Sequence, residues 1–287
     1  MPRKILEEKL RNMLAEDIGE GDVTTALIVP AGAIAEAEVR CKEPGVAAGI
    51  EEATVLLESL GLKVRASFKD GDKIRANQTL MKISGDARAI LSVERTLLNL
   101  LSRMSGIATA TRRLVKEVRR AKLKTRVACT RKTAPGLLYF DKKAVLVGGG
   151  DTHRLHLDDM ILIKDNHIAM AGSLQEAVRS VRERASFSKK IEVEVTSAAD
   201  ALKAADAGAD IIMLDNFSPK QIEKAVASLR KKRMHAKILL EASGGITKEN
   251  VVRFASTGVN IVSMGEITSS SKALDISLEI AEINKKR

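Results

Sequence analysis

Apolar and polar positions in the first third of the chain follow both helical and strand-like periods. Residues 1–17 and 50–60 have apolar side chains spaced by three and four positions, which predicts two helices. The segment AIAEAEVRC at 33–41 alternates apolar and polar residues, as a half-buried strand does. Residues 63–85 read as further strands around an Asp-Gly turn. This pattern predicts mixed α and β structure for the first third.

A strongly helical stretch follows at 89–121. Its apolar residues recur at i, i+3, i+4 and i+7, and Arg95 and Asn99 lie four apart on one face. Gly106 predicts a break, with a second helix running on to about Arg120. The basic cluster between 112 and 126 is most simply a solvated face.

After Arg126 short apolar strands alternate with helices. Six segments read as strands: VACTRKT, MILIKDN, IEVEVTS, ADIIMLDN, KILLEASGG and VNIVSMGE. Helices are predicted between the later ones, near 173–185, 198–207, 219–232 and 247–256. This alternation is typical of parallel βα units, and nearly continuous apolar strands indicate a sheet covered on both faces. The prediction is a barrel-like sheet with its site at the carboxyl ends of the strands.

Polar residues and glycines follow all six predicted strands. They are Arg131 and Lys132, Lys164, Glu194, Asp215, Ser243-Gly244-Gly245, and Gly265-Glu266. Any one of them is explained by a turn or a cap, but all six on one side of the sheet indicate a site. The last two loops each lead toward a helix and offer main-chain N–H groups, which suit a phosphate. Glu194 and Asp215 could hold a divalent metal, bind sugar hydroxyls or pair with the lysines.

The stretch from Thr130 to His167 concentrates fixed cations near short strands and a glycine-rich turn. Arg131, Lys132, Lys164 and the pair His153-Arg154 all fall within it. A lysine at the end of an apolar strand is costly unless its charge is used. Converging cations of this kind predict a pocket for an anion that carries several acidic groups.

Composition narrows the class of protein. The 287 residues are 45% apolar, so the chain is expected to be globular, and no apolar run reaches the length of a membrane span. Two cysteines in no metal-ligand spacing predict a cytoplasmic protein. The net charge of +11 fits either nucleic acid or a small anionic substrate. Aromatic residues make up only 2%, which leaves little for bases to stack on and disfavours RNA or single-stranded DNA.

With these motifs in order, the chain resembles the quinolinate phosphoribosyltransferase family, whose members are also called nicotinate-nucleotide pyrophosphorylases (carboxylating). The resemblance covers nearly the whole chain. It rests on DIGEGDVTT at 17–25, ERTLLN at 94–99, SGIAT at 105–109, TRKTAPG at 130–136, GGGDTHR at 148–154, LIKDNH at 162–167, EVEV at 192–195, LDN at 214–216 and EASGGI at 241–246. Two positions depart from the family pattern, Ala134 and Leu138, and both flank the predicted site.

The resemblance implies an α/β fold with two domains. An N-terminal α/β sandwich at 1–104 would be joined by a C-terminal helix at 271–287, and 105–270 would form an open, incomplete TIM-like βα barrel. It also implies a homodimer, possibly within a higher oligomer, in which each site borrows Arg95 from the partner.

The resemblance further implies an activity: phosphoribosyl transfer from phosphoribosyl pyrophosphate to quinolinate with loss of CO₂. Quinolinate would contact Arg95, Arg131, Lys132, His153, Arg154 and Lys164. Phosphoribosyl pyrophosphate and Mg²⁺ would contact Lys132, Lys164, Glu194, Asp215, Ser243, Gly244, Gly245 and Gly265, with Glu194 and Asp215 near the metal. Lys132, Lys164, Glu194 and Asp215 would be catalytic, and no organic cofactor or nucleic-acid partner is expected.

Three alternatives remain open from the sequence. The first is a relative of the same fold that uses another acid, such as nicotinate, or the related protein found beside molybdate transporters. The second is a nucleic-acid-binding protein that uses the +11 charge. The third is a catalytically silent barrel that serves as an interaction subunit, against which the intact cationic clusters argue.

Overall fold

The computed structural model describes residues 1–284, which form two compact units. The first comprises Met1–Ala110 and the chain from Ser271 onward; the second is Thr111–Ser270. No helix in the described part of the chain is long and apolar enough to cross a bilayer.

The first unit packs helices against an antiparallel sheet. Its elements are α1 (Arg3–Ile18), α2 (Val23–Ile28), β1 (Ile34–Cys41), β2 (Gly45–Val46), α3 (Ile50–Ser59), β3 (Lys63–Ala66), β4 (Lys73–Ile74), β5 (Gln78–Asp86), α4 (Ala87–Arg120) and, at the far end of the chain, β12 (Ile276–Asn284). The sheet order is β12-β1-β5-β3, while β2 and β4 form a separate small ribbon. Burial alternates along β1 as its sequence predicts, and the predicted helices at 1–17 and 50–60 are confirmed.

The predicted C-terminal helix at 271–287 is wrong over its described residues. Ile276–Asn284 is a strand that pairs antiparallel with all of β1, from Ile34 opposite Asn284 to Cys41 opposite Ile276. The sequence ISLEIAEIN begins with strict apolar-polar alternation, which suits a half-covered strand and not a helix. Residues 285–287 lie outside the described part.

The predicted helix break at Gly106 is also wrong, because α4 runs unbroken from Ala87 to Arg120. Gly106 serves close packing instead of a turn. A Cβ atom added there would lie 2.2 Å from the carbonyl oxygen of Lys272. The main chain before β12 therefore approaches α4 at a point where only a hydrogen atom fits.

We expect Gly106→Ala to lower the free energy of unfolding by about 2–4 kcal/mol, because backbone must move to relieve the clash. Helix propensity alone predicts the opposite sign, a gain of about 1 kcal/mol. Urea denaturation of the variant and the wild type measures the difference. A stabilised variant would contradict the close approach.

The second unit is a parallel sheet with helical connections. Its elements are β6 (Arg126–Cys129), α5 (Leu138–Gly148), β7 (Ile161–Ile163), α6 (Asp165–Ala171), α7 (Leu174–Arg184), β8 (Ile191–Val195), α8 (Ala198–Asp206), β9 (Ile211–Asp215), α9 (Pro219–Lys231), a 3₁₀ turn (His235–Lys237), β10 (Leu239–Ser243), α10 (Val251–Ala255), β11 (Ile261–Met264) and α11 (Glu266–Ser269). The end of α4 also belongs to this unit.

All six predicted strands are confirmed, in the order β6-β11-β10-β9-β8-β7, and all their pairings are parallel. Among the described residues no pairing of β6 with β7 closes the sheet; a single bridge from Ala128 to Asp151 extends the β6 edge. The α/β fold with an open βα barrel is thus confirmed. The connection after β6 holds a helix, α5, that the sequence did not predict.

Candidate active site

A cavity of about 730 Å³ opens at the carboxyl ends of the barrel strands. Because parallel strands all end at the same rim, residues distant in sequence meet there. The predicted site residues among its lining are Arg131, Lys132, His153, Arg154, Lys164, Glu194, Asp215, Ser243, Gly244, Gly245 and Gly265. The structure therefore brings together every predicted site residue of the second unit.

Arg95 is the predicted site residue that the cavity does not include. It lies on α4 in the first unit, with an exposed side chain. It is absent from the lining residues of the cavity in the described chain. Its predicted role, as a residue that completes the site of a partner subunit, stays a prediction.

Two arginines on different elements give the cavity its strongest positive wall. Arg131 follows β6, and Arg154 lies in the segment between α5 and β7. Burial lowers the pKa of the Arg154 guanidinium, and the charge of Arg131 lowers it further. Its Nη1 donates to the carbonyl oxygen of Met160 at 3.3 Å. Like charges held this close are relieved by a bound anion, so the pair favours a ligand with carboxylate or phosphate groups.

Lys132 is held against the opposite side of the β6 end. The hydroxyl of Thr268 donates to its carbonyl oxygen at 2.8 Å, and its own N–H donates to the hydroxyl of Thr130 at 3.1 Å. A Cβ atom on Gly265 would lie 2.8 Å from the Lys132 Cδ. Gly265 thus leaves the room that the lysine side chain uses to extend over the cavity.

His153 faces two fully buried carboxylates. Its Nε2 lies 3.1 Å from Glu241 Oε2 and 3.3 Å from Glu192 Oε2. Burial lowers the pKa of His153, but the hydrogen bonds to Glu192 and Glu241 outweigh burial and raise that pKa above its usual value. The N–H of Arg154 donates to Nδ1 at 2.8 Å, a bond that is lost when Nδ1 takes a proton, so it opposes this rise in the pKa; Nε2 carries a proton in either charge state. The ring therefore keeps its Nε2 proton directed at the two acids.

The two acids are themselves unusual. Burial raises the pKa of Glu192, and its bond to His153 only partly offsets this. Oε1 of Glu241 and both carboxylate oxygens of Glu192 make no hydrogen bond of good geometry among the described residues, although Glu192 Oε2 lies 3.3 Å from the His153 Nε2. The neighbouring charge of Glu241 raises the pKa of Glu192 further, as expected for a carboxyl group buried beside another one. Neither residue was predicted from the sequence, although a glutamate inside an apolar strand is a signal of a buried charge.

Two other carboxylates of the cavity, Glu194 and Asp215, are accessible. Glu194 Oε2 lies 3.5 Å from the Nζ of Lys164, and both side chains are partly exposed to the cavity. Asp215 ends β9 and accepts from the Asn216 side chain at 2.6 Å. Accessible carboxylate oxygens of this kind suit Mg²⁺ or sugar hydroxyls. A separate group that could hold a metal ion is His153 with Glu192 and Glu241, whose ligand atoms lie within 4.8 Å of one another.

The loop after β10 brings bare main chain to the cavity. Gly244 and Gly245 have φ angles of 88° and 62°, and a Cβ on Gly244 would lie 2.2 Å from the Asn216 Oδ1. No other residue fits there. The helix expected at 247–256 begins only at Val251, so the N–H groups near the cavity belong to the glycine loop and not to a helix end. After β11, by contrast, α11 follows Gly265 directly.

A buried cation that the sequence did not flag supports the His153-Arg154 segment from behind. Lys142 of α5 is 1% exposed, and its Nζ donates to the carbonyl oxygens of Thr152 and Arg154. In the sequence it is one of two adjacent lysines in a stretch for which no helix or strand was predicted. Only the helix α5 makes its burial visible.

The second unit is an open parallel βα barrel, and fixed cations line the cavity at its strand ends. This combination is typical of βα-barrel enzymes that act on small anionic molecules. Comparison with family models is more specific. The quinolinate phosphoribosyl transferase C-terminal domain matches residues 107–279, and the N-terminal domain of the same family matches 22–105. The chain belongs to the quinolinate phosphoribosyl transferase family.

Individual relatives align with this chain over nearly their whole length. A probable nicotinate-nucleotide pyrophosphorylase [carboxylating] from Methanothermobacter thermautotrophicus is 46% identical over 94% of this chain and 97% of its own. A nicotinate-nucleotide pyrophosphorylase [carboxylating] from Mycobacterium leprae is 41% identical over 95% and 96%. Among solved structures, NadC from Streptococcus pyogenes superposes with a TM-score of 0.89 at 37% identity, covering 98% of this chain and 99% of its own.

Proposed function

We propose that this chain transfers the phosphoribosyl group of phosphoribosyl pyrophosphate to the ring nitrogen of quinolinate. The products would be nicotinate mononucleotide, pyrophosphate and CO₂. The reaction would be a step of NAD biosynthesis. The observation that carries the proposal is one cavity whose lining holds fixed cations, among them Arg131 and Arg154, together with the carboxylates of Glu194 and Asp215 and the glycine main chain after β10. The cations are called the cationic wall below, and the carboxylates with the glycines are called the other wall. The names of the relatives point to the same reaction.

The cationic wall is proposed to bind the acceptor. Quinolinate carries two adjacent carboxylates, and both must leave water together. Arg131, Lys132, Arg154 and Lys164 offer fixed charges for them, with His153 beside Arg154. Guanidinium groups supply paired, charge-assisted hydrogen bonds in the plane of a carboxylate.

The other wall is proposed to bind the donor. The main chain of Ser243, Gly244 and Gly245 can approach a phosphate closely because no Cβ intervenes at the two glycines. Glu194 and Asp215 are placed to bind ribose hydroxyls and to stabilise the positive charge that develops on the sugar. Lys132 and Lys164 would stabilise the departing pyrophosphate.

Mg²⁺ is the proposed metal, brought with the pyrophosphate donor. Glu194 and Asp215 fit it because both offer accessible carboxylate oxygens to the same cavity. When bound, the ion would neutralise negative charge on the leaving group. Loss of the 2-carboxylate would follow transfer, since the newly quaternised ring nitrogen stabilises the carbanion. No organic cofactor is proposed.

We further propose a homodimer in which Arg95 completes the site of the partner subunit. The helix α2 exposes Val23, Leu27 and Ile28, and such a patch is typical of an interface. It lies beside the Arg95 segment of α4, because the Ser92 hydroxyl bonds Asp22 at the start of α2. A higher oligomer built from such dimers is compatible with this patch. The two buried, unpaired cysteines, Cys41 and Cys129, fit the cytoplasm.

Turnover of quinolinate tests the proposed function. Nicotinate mononucleotide should accumulate only when quinolinate, phosphoribosyl pyrophosphate and Mg²⁺ are all present, and excess chelator should stop it. The matched variant Glu194→Gln keeps the shape of the side chain and should lose most of kcat. Formation of no mononucleotide from quinolinate by a folded wild-type protein would refute the proposal.

The excess of positive charge on this chain is proposed to bind small anions, and nucleic acid is not a proposed partner. The arginines and lysines nearest the chemistry lie at strand ends inside the cavity. Duplex DNA should therefore bind only in the non-specific range of about 10⁻⁴–10⁻⁶ M near physiological salt. Fluorescence anisotropy over a salt series measures this affinity. Nanomolar, sequence-dependent binding would contradict the prediction.

A further inference from the structure

The segment from Asp151 to Arg154 is held in a strained conformation. His153 has a φ of 53°, a left-handed value that residues with a side chain rarely adopt. Such a conformation persists only where surrounding contacts determine it. Two of those contacts are local: the N–H of His153 donates to Asp151 Oδ1 at 2.8 Å, and the N–H of Arg154 donates to the His153 ring.

The main chain of this segment also pairs with β6 through Asp151, and the Cys129 thiol donates to the Thr152 carbonyl oxygen at 3.5 Å. Lys142 adds two further contacts. Its Nζ donates to the carbonyl oxygens of Thr152 and Arg154, the residues on either side of His153. Both of its hydrogen-bond acceptors in the described chain are main-chain oxygens rather than carboxylates. An ammonium on a side chain that is only 1% exposed costs free energy when no carboxylate pairs with it directly. Burial lowers the pKa of Lys142, and the nearby Cys129 thiol and Asp151 carboxylate offset this only in part. A neutral, apolar side chain at this position would avoid that cost.

We propose that Lys142 is a positioning residue for the acceptor site: it bridges the two carbonyl groups around His153 and thereby directs Arg154 at a carboxylate of the acid. The inference rests on the proposed function. Lys142 itself is not among the residues that line the cavity in the described chain, so it acts through Arg154 and not by touching the substrate. The Nη1 of Arg154 donates one hydrogen bond to the carbonyl oxygen of Met160, which leaves its other N–H donors for the ligand.

The distinguishing prediction concerns which Michaelis constant changes. Lys142→Met keeps the unbranched stem and removes both hydrogen bonds. KM for quinolinate should rise about tenfold, the worth of a charged hydrogen bond to the segment. KM for phosphoribosyl pyrophosphate should stay within about twofold of the wild-type value, because most of the residues proposed to bind this donor follow other strands. Lys224→Met, an exposed lysine on α9, makes the same chemical change and should alter neither constant.

A double-mutant cycle tests whether Lys142 acts through Arg154. In an Arg154→Ala background the further change Lys142→Met should alter KM for quinolinate by less than about twofold, since the group to be positioned is gone. The same tenfold rise in both backgrounds would overturn the proposal, as would an unchanged KM in Lys142→Met or an equal rise for both substrates.

Folding of each variant is checked by its thermal unfolding midpoint. If Lys142→Met does not fold, Lys142→Gln, which is shorter and uncharged but keeps a polar NH₂ group, takes its place with the same expected pattern and the same contrary results. Wild-type protein that is inactive with quinolinate refutes the proposed function itself. Active wild-type protein with an unaffected Lys142 variant refutes only the positioning role.

Discussion

With nicotinate in place of quinolinate, kcat/KM should fall by about 10⁴-fold or more, because the site's own cations would be left without a counter-charge. Nicotinate has one carboxylate, and quinolinate has two. The proposed acceptor wall holds Arg131, Lys132, Arg154 and Lys164, more positive charge than one carboxylate can match. Steady-state kinetics with each acid measures the ratio.

Arg154→Lys tests the same wall by geometry instead of charge. The variant keeps the positive charge but loses the planar fork, so kcat/KM for quinolinate should fall by about 10²-fold. Lys224→Arg, the reverse exchange on an exposed helix face, is the matched control. Comparable wild-type values for the two acids, or an unaffected Arg154→Lys enzyme, would show that the cavity is not built around two carboxylates.

Mixed dimers should recover activity that neither parent variant has. Arg95→Ala and Lys132→Ala should each retain less than about one hundredth of wild-type kcat, as expected for a lost charge-assisted contact. If Arg95 serves the partner's site, a heterodimer of the two has one intact site. An equilibrated equal mixture should then reach about one quarter of wild-type activity, since half of the dimers are mixed.

The control for that experiment mixes Arg154→Ala with Lys132→Ala. Both changes fall in the cavity of their own chain, so each site in the heterodimer keeps one lesion and no activity should return. Subunit exchange is verified with differently tagged chains. Exchange without recovery for the Arg95 pair would refute the shared site.

The strand ends could be predicted from the sequence because each βα unit is local. Apolar runs such as IIMLD predict buried strands, and parallel strands put their ends on one rim. For that reason Lys164, Glu194 and Asp215 could be grouped although they lie far apart in the chain. The glycine loop after β10 was equally readable, since a Gly-Gly pair after a strand predicts bare main chain.

What could not be predicted depends on contacts between distant segments. The strand at Ile276–Asn284 forms because β1 offers an edge, which is not visible in either segment alone. Gly106 looks like a helix break in the sequence, but glycine is required there because the main chain of Lys272 packs against it. The role of Lys142 could not be predicted, because only the fold of α5 brings its Nζ to the carbonyl groups on either side of His153. Glu192 and Glu241 belong to strands that were predicted correctly, but their meeting at His153 depends on the barrel.

The central claim is that one cavity joins a phosphoribosyl group to a dicarboxylic acid that then loses one carboxylate. Quinolinate labelled with ¹³C or ¹⁴C in its 2-carboxylate tests this most directly, with labelled CO₂, pyrophosphate and nicotinate mononucleotide measured together. The account predicts that the three form in equal amounts and only when phosphoribosyl pyrophosphate is present. Label retained in the mononucleotide, CO₂ released without the donor, or no turnover by folded protein would contradict it.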